Sequence, residues 1–193
     1  MKLDSIFDFI RLTHQFQKIE RVILIGGSDR NENDLEHSYQ LALLAWYIVE
    51  HEKLSLNKEL TIKYALVHDL VEAYAGDTFI FSKDETHIKS KKEREEKAAE
   101  KLKKEFPKFK ELHELIIGYE KREDPESRFV YALDKVIPLL NIYLDGGRTW
   151  KAHKVNLEML LKNKSEKVEV SPEVKKIFDE LVTLLKKEEK KLF

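Results

Sequence analysis

The dipeptide His68-Asp69 places two potential metal ligands side by side within a largely apolar run from Tyr64 to Tyr74. An imidazole and a carboxylate are costly to bury unless each has a polar or metal partner. His37 lies upstream of this dipeptide and Asp134 lies downstream. These four residues, called the ligand set below, can together hold a divalent ion. A protein with such a site is expected to be a metal-dependent hydrolase.

For the dipeptide alone, two explanations are more common than a metal site. The two residues can lie on the surface of a helix, or they can be buried with their polar atoms already hydrogen-bonded. The neighbours of the dipeptide favour a metal site because they are apolar and leave little solvent around the pair: Ala65, Leu66, Val67, Leu70 and Val71. The other histidines lack such surroundings, and we interpret them as surface or packing residues: His14, His51, His87, His113 and His153.

The mixture of imidazole nitrogen and carboxylate oxygen indicates which metals are suitable. Mn, Co, Ni, Fe and Zn accept both ligand types, whereas Mg and Ca prefer oxygen alone. Four protein ligands leave positions of an octahedral ion for water and substrate, which is typical of a catalytic site. The chain has no cysteine, so thiolate metal sites and disulfides are excluded. We expect one divalent transition metal.

Composition limits the classes of partner. The 193 residues suffice for one well-buried domain, residues 1–193, and are few for two. A hydrophobic content of 42% argues against disorder, and a formal net charge of -1 provides no overall field to attract nucleic acid or an acidic membrane. The sequence has no apolar signal core and no segment of membrane-spanning length. We expect a cytoplasmic protein without nucleic-acid or membrane partners.

The elements that must position the ligand set are helices. Four prolines and six glycines interrupt a sequence that is mostly of helical periodicity. The pattern predicts an all-α, single compact helical bundle, with helices over residues 3–16, 35–53, 57–75, 84–106, 110–119, 127–145 and 149–163, and a last one opening at Ser171-Pro172. The stretch 21–30 is predicted to be an extended connector. One helix would then direct His68, Asp69 and Glu72 towards a common site.

The combined pattern resembles the HD-domain metal-dependent phosphohydrolases, whose first His, His-Asp doublet and distant Asp correspond to the ligand set. Closer still is the small-nucleotidase branch, with bacterial 5'-deoxynucleotidases and oxetanocin-like proteins. Its local features appear here as Arg30-Asn-Glu-Asn-Asp-Leu-Glu-His37-Ser, His68-Asp-Leu-Val-Glu72, Gly76-Asp77 and Ala132-Leu-Asp-Lys135. The resemblance covers residues 21–150, and its combined spacing is far more specific than any single motif.

The resemblance implies that the ligand set holds an ion that polarises a phosphoryl oxygen and lowers the pKa of a bound water. It implies Glu72 and Asp77 as the catalytic carboxylates, one acting on the attacking water and the other protonating the leaving alkoxide. The sequence does not assign the two roles. The simpler alternatives are that Glu72 pairs with a lysine on the surface and that Asp77 is a turn residue after Gly76.

Three cationic residues are candidates for binding the phosphate. Arg30 is the leading one because a guanidinium binds two oxygens at once, and Arg21 is the second. Lys135 can bind phosphate or pair with a carboxylate. A solvated loop arginine is an equal alternative for Arg30. The charged segment 89–98 is predicted to be a solvated helix with pairs at i,i+4 rather than a phosphate-binding surface.

The expected function is therefore removal of phosphate from nucleoside 5'-monophosphates, with deoxynucleotides preferred and a homodimer implied by the resemblance. One departure is that Val22–Gly27 has no aromatic residue, where many relatives carry one that shapes the sugar and base pocket. The alternatives are hydrolysis of another nucleotide (a deoxynucleoside triphosphate, a cyclic or an alarmone nucleotide), a non-catalytic nucleotide-binding sensor, and a helical scaffold. Glu72 and Asp77 beside an intact ligand set argue against the sensor.

Overall fold

The structure, a computed structural model, describes residues 2–82 and 84–193. These residues form helices and one small antiparallel sheet, which confirms the predicted all-α class. The helices are α1 (Leu3–Phe16), α2 (Asp34–His51), α3 (Lys58–Val67), α4 (Glu72–Ala75), α5 (Glu85–Lys89), α6 (Lys91–Glu105), α7 (Lys110–Lys121), α8 (Pro125–Leu144), α9 (Arg148–His153), α10 (Leu157–Val168), α11 (Pro172–Lys187) and α12 (Glu189–Leu192). None of these helices is long and apolar enough to cross a membrane.

The centre of the fold is α8, which is apolar on nearly every side. Its buried residues include Phe129, Val130, Leu133, Val136 and Ile137, each at most 1% exposed. Helices α2, α3, α7, α10 and α11 pack around it, as expected for a helix without a solvent-facing stripe. Any charged residue in the middle of α8 is therefore enclosed by other helices.

The segment predicted as an extended connector is a β-hairpin. Strand β1 (Glu20–Leu24) pairs antiparallel with β2 (Asn31–Asn33), which runs directly into α2. Asn33 and Glu36 form a capping box at this junction, in which the Asn33 side chain accepts from the Glu36 amide and the Glu36 carboxylate accepts from the Asn33 amide. The cap fixes where α2 begins and so sets His37 in its first turn.

The predicted helix over residues 57–75 is wrong in one respect, since α3 ends at Val67 and α4 begins at Glu72. The Ala65 carbonyl, which would accept from the Asp69 amide in a continuing helix, accepts from His68 Nδ1 at 2.9 Å. Residues 68–71 instead form turns with three-residue spacing, such as the Glu72 amide donating to the Asp69 carbonyl at 2.8 Å. The histidine side chain thus competes for the bond that would have extended the helix.

Two other predicted helices are each split into two. The segment 84–106 forms α5 and α6, which meet at Ser90. The segment 149–163 forms α9 and α10, because Lys154 has a left-handed backbone that ends α9 and Asn156 caps α10 by accepting from the Met159 amide. The remaining predicted helices agree with α1, α2, α7, α8 and α11 to within two residues at each predicted end.

Candidate metal centre

The ligand set comes together from three places in the chain. His37 lies in the first turn of α2, His68 and Asp69 lie in the turn after α3, and Asp134 lies in the middle of α8. One nitrogen or oxygen atom from each residue falls within 4.8 Å of the others. His37 Nε2 is 3.0 Å from Asp134 Oδ1, and His68 Nε2 is 3.0 Å from Asp69 Oδ2.

The end of α3 at Val67 explains how two adjacent residues reach one point. Neighbouring side chains of a regular helix do not face each other, so a continuous helix would separate His68 from Asp69. In the turn, the Nε2 of one and the Oδ2 of the other are in contact. The local break in helical structure therefore assembles half of the ligand set.

Burial and hydrogen bonding leave the imidazoles suited to a cation. His37 is fully buried and His68 is 4% exposed. His68 Nδ1 donates to the Ala65 carbonyl, so a neutral ring carries its lone pair on Nε2, facing Asp69. That Nε2 is buried and has no hydrogen-bond partner among residues 2–82 and 84–193. A lone pair facing a carboxylate requires a positive charge between them, and a divalent ion fits this requirement.

The pKa values of His68 and Asp134 also indicate a site that favours a cation. Burial lowers the pKa of His68, but the charges of Asp69 and Asp134 outweigh it and raise the value to about 10. Burial raises the pKa of Asp134, but the Lys135 charge, the hydrogen bond with His37 and the charge of His68 hold it well below its usual range. The surroundings of the His68 ring therefore stabilise positive charge.

Glu72 lies beside the ligand set and is not a surface residue. It is 2% exposed, and its carboxylate lies within 4.8 Å of those of Asp34 and Asp69. Lys91 Nζ is 3.4 Å from Glu72 Oε1, whereas the buried Oε2 has no hydrogen-bond partner in the described part of the chain. Burial raises the pKa of Glu72 well above its usual value, the charges of nearby carboxylates add to this, and Lys91 opposes it.

Asp77 lines the same cavity as Asp69, Glu72 and Asp134. It follows Gly76, whose φ of 74° is in the left-handed range that suits glycine, and it lies outside regular secondary structure after the end of α4. Its Oδ1 accepts from the Thr78 amide at 2.7 Å. The structure thus brings both candidate catalytic carboxylates to one cavity.

Two of the three candidate phosphate-binding residues lie at this cavity. Arg21 on β1 is 11% exposed in its side chain, and its Nη1 is 3.1 Å from Asp34 Oδ1 and 3.0 Å from Asp69 Oδ2. Lys135 hydrogen-bonds to Asp134 and also lines the cavity. Both cations compensate buried carboxylates next to the ligand positions.

Arg30 is not among the residues that line the cavity. Its side chain is 56% exposed, and its guanidinium binds both oxygens of Glu36 at 2.8 and 3.0 Å. Arg30 therefore makes the bidentate contact expected for a phosphate with the Glu36 carboxylate, at the start of α2. A role for Arg30 in phosphate binding stays a prediction.

Several site residues were missed in the sequence. Glu32 Oε2 lies 3.5 Å from His37 Nδ1, where it can orient the ring. Asp34 is fully buried, and burial together with the Asp69 charge raises its pKa to about 7. Its position three residues before His37, on the same side of a helix, was the available signal.

The prediction of a solvated helix over residues 89–98 is wrong for two of its members. Lys91 reaches Glu72, as described above. The Arg94 guanidinium donates to the Thr78 hydroxyl at 2.6 Å and to the Gly76 carbonyl at 3.4 Å, so it holds the loop that carries Asp77. These contacts could not be predicted because the alternating charges of this segment are typical of a solvated helix.

The cavity also has an apolar wall. It consists of Val22, Ile23, Phe79, Ile80, Phe81, Pro138, Leu139, Ile142, Trp150 and Val155. Trp150 is 2% exposed and stacks on Phe193, which makes it a packing residue as expected. The connector lacks an aromatic residue, but Phe79 and Phe81 supply aromatic rings from the loop after Asp77.

Fold and site together define the class of this protein: an all-α domain that gathers histidines and aspartates from separate elements around a place for a metal ion. The family model described as HD domain matches residues 13–175. The chain belongs to this family, which confirms the resemblance seen in the sequence.

The curated relatives are named as nucleotidases. Human 5'-deoxynucleotidase HDDC2 is 33% identical over 134 residues, which are 68% of this chain and 63% of the human protein. The 5'-deoxynucleotidase hdd1 of Schizosaccharomyces pombe is 29% identical over 119 residues, 58% of this chain and 57% of that protein. This chain thus spans less than two thirds of the length of these relatives.

Two solved structures share the fold. A predicted metal-dependent phosphohydrolase from Magnetospirillum magnetotacticum MS-1 has a TM-score of 0.82 at 32% identity and covers 96% of this chain and 93% of its own. A conserved hypothetical protein from Pyrococcus furiosus has a TM-score of 0.64 at 24% identity and covers 94% of this chain and 99% of its own. The second likeness supports the fold alone.

The geometry of the ligand set predicts the result of removing one ligand. Asp69→Ala should abolish stoichiometric Mn²⁺ binding measured by calorimetry, because it takes away the carboxylate nearest His68 Nε2. The parent protein should gain about 3 kcal/mol of unfolding free energy at a free metal concentration of about 100 times Kd. Asp69→Ala should show no such gain, and Asp8→Ala, an exposed control on α1, should behave as the parent. Tight stoichiometric binding by Asp69→Ala would contradict this ligand assignment.

Proposed function

We propose that this protein is a metal-dependent phosphohydrolase that removes phosphate from nucleoside 5'-monophosphates, with deoxynucleotides preferred. The observation that carries the proposal is that Glu72 lies buried beside the ligand set, in a cavity with cationic side chains and an apolar wall. The relatives named 5'-deoxynucleotidase support the substrate class. The structural likeness to a phosphohydrolase supports the reaction.

The proposed cofactor is one divalent ion among Mn, Co, Ni, Fe and Zn, held by His37, His68, Asp69 and Asp134. When bound, the ion supplies Lewis acidity to a phosphoryl oxygen and lowers the pKa of a water. The second nitrogen of His68 donates to the Ala65 carbonyl, and the second nitrogen of His37 lies 3.5 Å from Glu32 Oε2. Such outer contacts orient the rings before the ion arrives.

We assign deprotonation of the attacking water to Glu72 and protonation of the leaving group to Asp77. Glu72 lies next to Asp69, and its Oε2 has no hydrogen-bond partner within residues 2–82 and 84–193, so it can take a proton as the water oxygen bonds to phosphorus. The bond from phosphorus to the 5' oxygen then breaks, and Asp77 gives that oxygen a proton. Lys91 fixes the other oxygen of Glu72, and Arg94 fixes the loop of Asp77.

The two walls of the cavity suit the two parts of a nucleotide. Arg21 and Lys135 provide positive charge next to the ligand positions, where the phosphate would react. Phe79 and Phe81, with ring centroids 5.7 Å apart, provide an aromatic surface for a base. A substrate with an anionic end and an apolar end satisfies both walls.

The proposal is tested by phosphate release from a panel of nucleotides, with the protein loaded in turn with Mn, Co, Ni, Zn and Mg. We expect turnover of deoxynucleoside monophosphates that depends on the added metal and stops with a chelator. Robust turnover of triphosphates, cyclic nucleotides or alarmones without monophosphates would contradict the substrate assignment. Stoichiometric nucleotide binding without any turnover would instead indicate a sensor.

Replacing Glu72 separates metal binding from turnover. Glu72→Gln keeps the shape of the side chain but cannot accept the proton of water, so kcat should fall about a hundredfold or more while most metal binding is spared. The matched control is Glu95→Gln, which alters the other carboxylate that contacts Lys91, at 3.2 Å, and should retain kcat. Unchanged turnover in Glu72→Gln would remove that residue from the mechanism.

We also propose that residues 1–193 form one domain and that the protein is a cytoplasmic homodimer. One side of α2 exposes four large apolar or aromatic residues at helical spacing: Tyr39, Leu43, Trp46 and Tyr47. A second copy covering this side would remove it from water. Light scattering should give the mass of two chains for the parent and of one chain for Trp46→Glu. A monomeric parent would contradict the homodimer.

A further inference from the structure

Among the described residues, the cations that line the cavity are paired with carboxylates, with one exception. The cationic residues of the cavity are Arg21, Lys91, Lys135 and Lys164. Three of them contact carboxylates of the same cavity: Arg21 with Asp69, Lys91 with Glu72, and Lys135 with Asp134. Lys164 makes no hydrogen bond or ion pair within residues 2–82 and 84–193.

Lys164 nevertheless lies deep in the structure. It belongs to α10, which packs against α8, the helix that carries Asp134 and Lys135. The residue is only 7% exposed. Lysine is almost never buried to this extent unless it is paired, because its ammonium loses hydration without compensation.

The pKa of Lys164 shows that its buried position disfavours the charged ammonium form. Burial lowers the pKa of Lys164 to about 7, the charge of Lys135 lowers it further, and Asp134 opposes the shift. An anion placed in the cavity would stabilise the ammonium form. The other three cations of the cavity have carboxylate partners, so Lys164 is the lining cation without a counter-ion in the part of the chain that the structure describes.

We propose that Lys164 is an anion-binding residue of this cavity and that it contacts the phosphate of the substrate or of the released product. This inference rests on the proposed function for the identity of the substrate. The chemistry requires only a phosphate group, either as an ester or as the free ion. A phosphate ester brings about two negative charges to a cavity in which Arg21, Lys91 and Lys135 already contact carboxylates.

Binding of inorganic phosphate to the manganese-loaded full chain, measured by calorimetry, tests the proposal. Lys164→Met keeps the length of the side chain and removes its charge, so the Kd for phosphate should rise about ten- to a hundredfold. Lys164→Arg should restore part of the affinity. Lys162→Met, at an exposed position of the same helix, should bind phosphate as the parent does.

A structural role predicts a different set of results. Lys164→Met would then change thermal stability and leave the Kd for phosphate as it is, and that result would overturn the proposal. If Lys164→Met does not fold, Lys164→Gln serves the same comparison, with metal content and circular dichroism as checks of folding. In steady-state assays with a deoxynucleoside monophosphate, KM should rise while kcat changes less, since a contact with phosphate is made in both ground and transition states.

The test also separates this inference from the proposed function. A parent protein that binds phosphate through Lys164 but hydrolyses no nucleotide would support this inference and contradict the nucleotidase proposal. A parent that hydrolyses monophosphates while Lys164→Met keeps the parental KM and phosphate Kd would support the nucleotidase proposal and contradict this inference. A parent holoenzyme that binds no phosphate would overturn this inference.

Discussion

The structure depends on a concentration of negative charge that a helical core would not tolerate without cations. Asp34, Asp69, Glu72 and Asp134 lie close together around two imidazoles, and three of the four are at most 4% exposed. Buried carboxylates are stable only when hydrogen-bonded, paired, protonated or bound to metal. Hydrogen-bonded pairing appears here in Arg21 between two acids and in Lys135 on Asp134, and burial with the Asp69 charge raises the pKa of Asp34 to about 7.

The surrounding elements can be understood as the means of holding those charges in place. Helix α8 provides a rigid, enclosed position for Asp134, and the β-hairpin delivers Arg21 from β1 and Glu32 from β2. The turn after α3 lets adjacent ligands converge, at the expense of regular helical bonds. Helix α6 contributes Lys91, which contacts Glu72, and Arg94, which holds the loop that carries Asp77. Because each of these elements brings a charge or a hydrogen bond to the site, loss of one of them would leave a buried group unpaired.

The sequence predicted the four residues that the structure brings together because their types and spacing are specific, and helical periodicity predicted most helices. It did not reveal the end of α3 at Val67, because that end depends on the His68 side chain taking the Ala65 carbonyl, a competition that propensity does not describe. It also missed Lys91 and Arg94, whose neighbours alternate in charge as on any solvated helix. Arg30 was favoured on its chemistry, yet its guanidinium is bound to Glu36. Long-range pairing of charges is the information that local patterns lack.

The most direct test of the account is an anomalous-scattering map from a crystal of this protein grown with manganese. The account predicts one strong peak about 2.0–2.4 Å from Nε2 of His37, Nε2 of His68 and a carboxylate oxygen each of Asp69 and Asp134. A map with no peak there, with both imidazoles hydrogen-bonded directly to the carboxylates, would contradict it. Manganese found only at exposed acidic residues would contradict it equally.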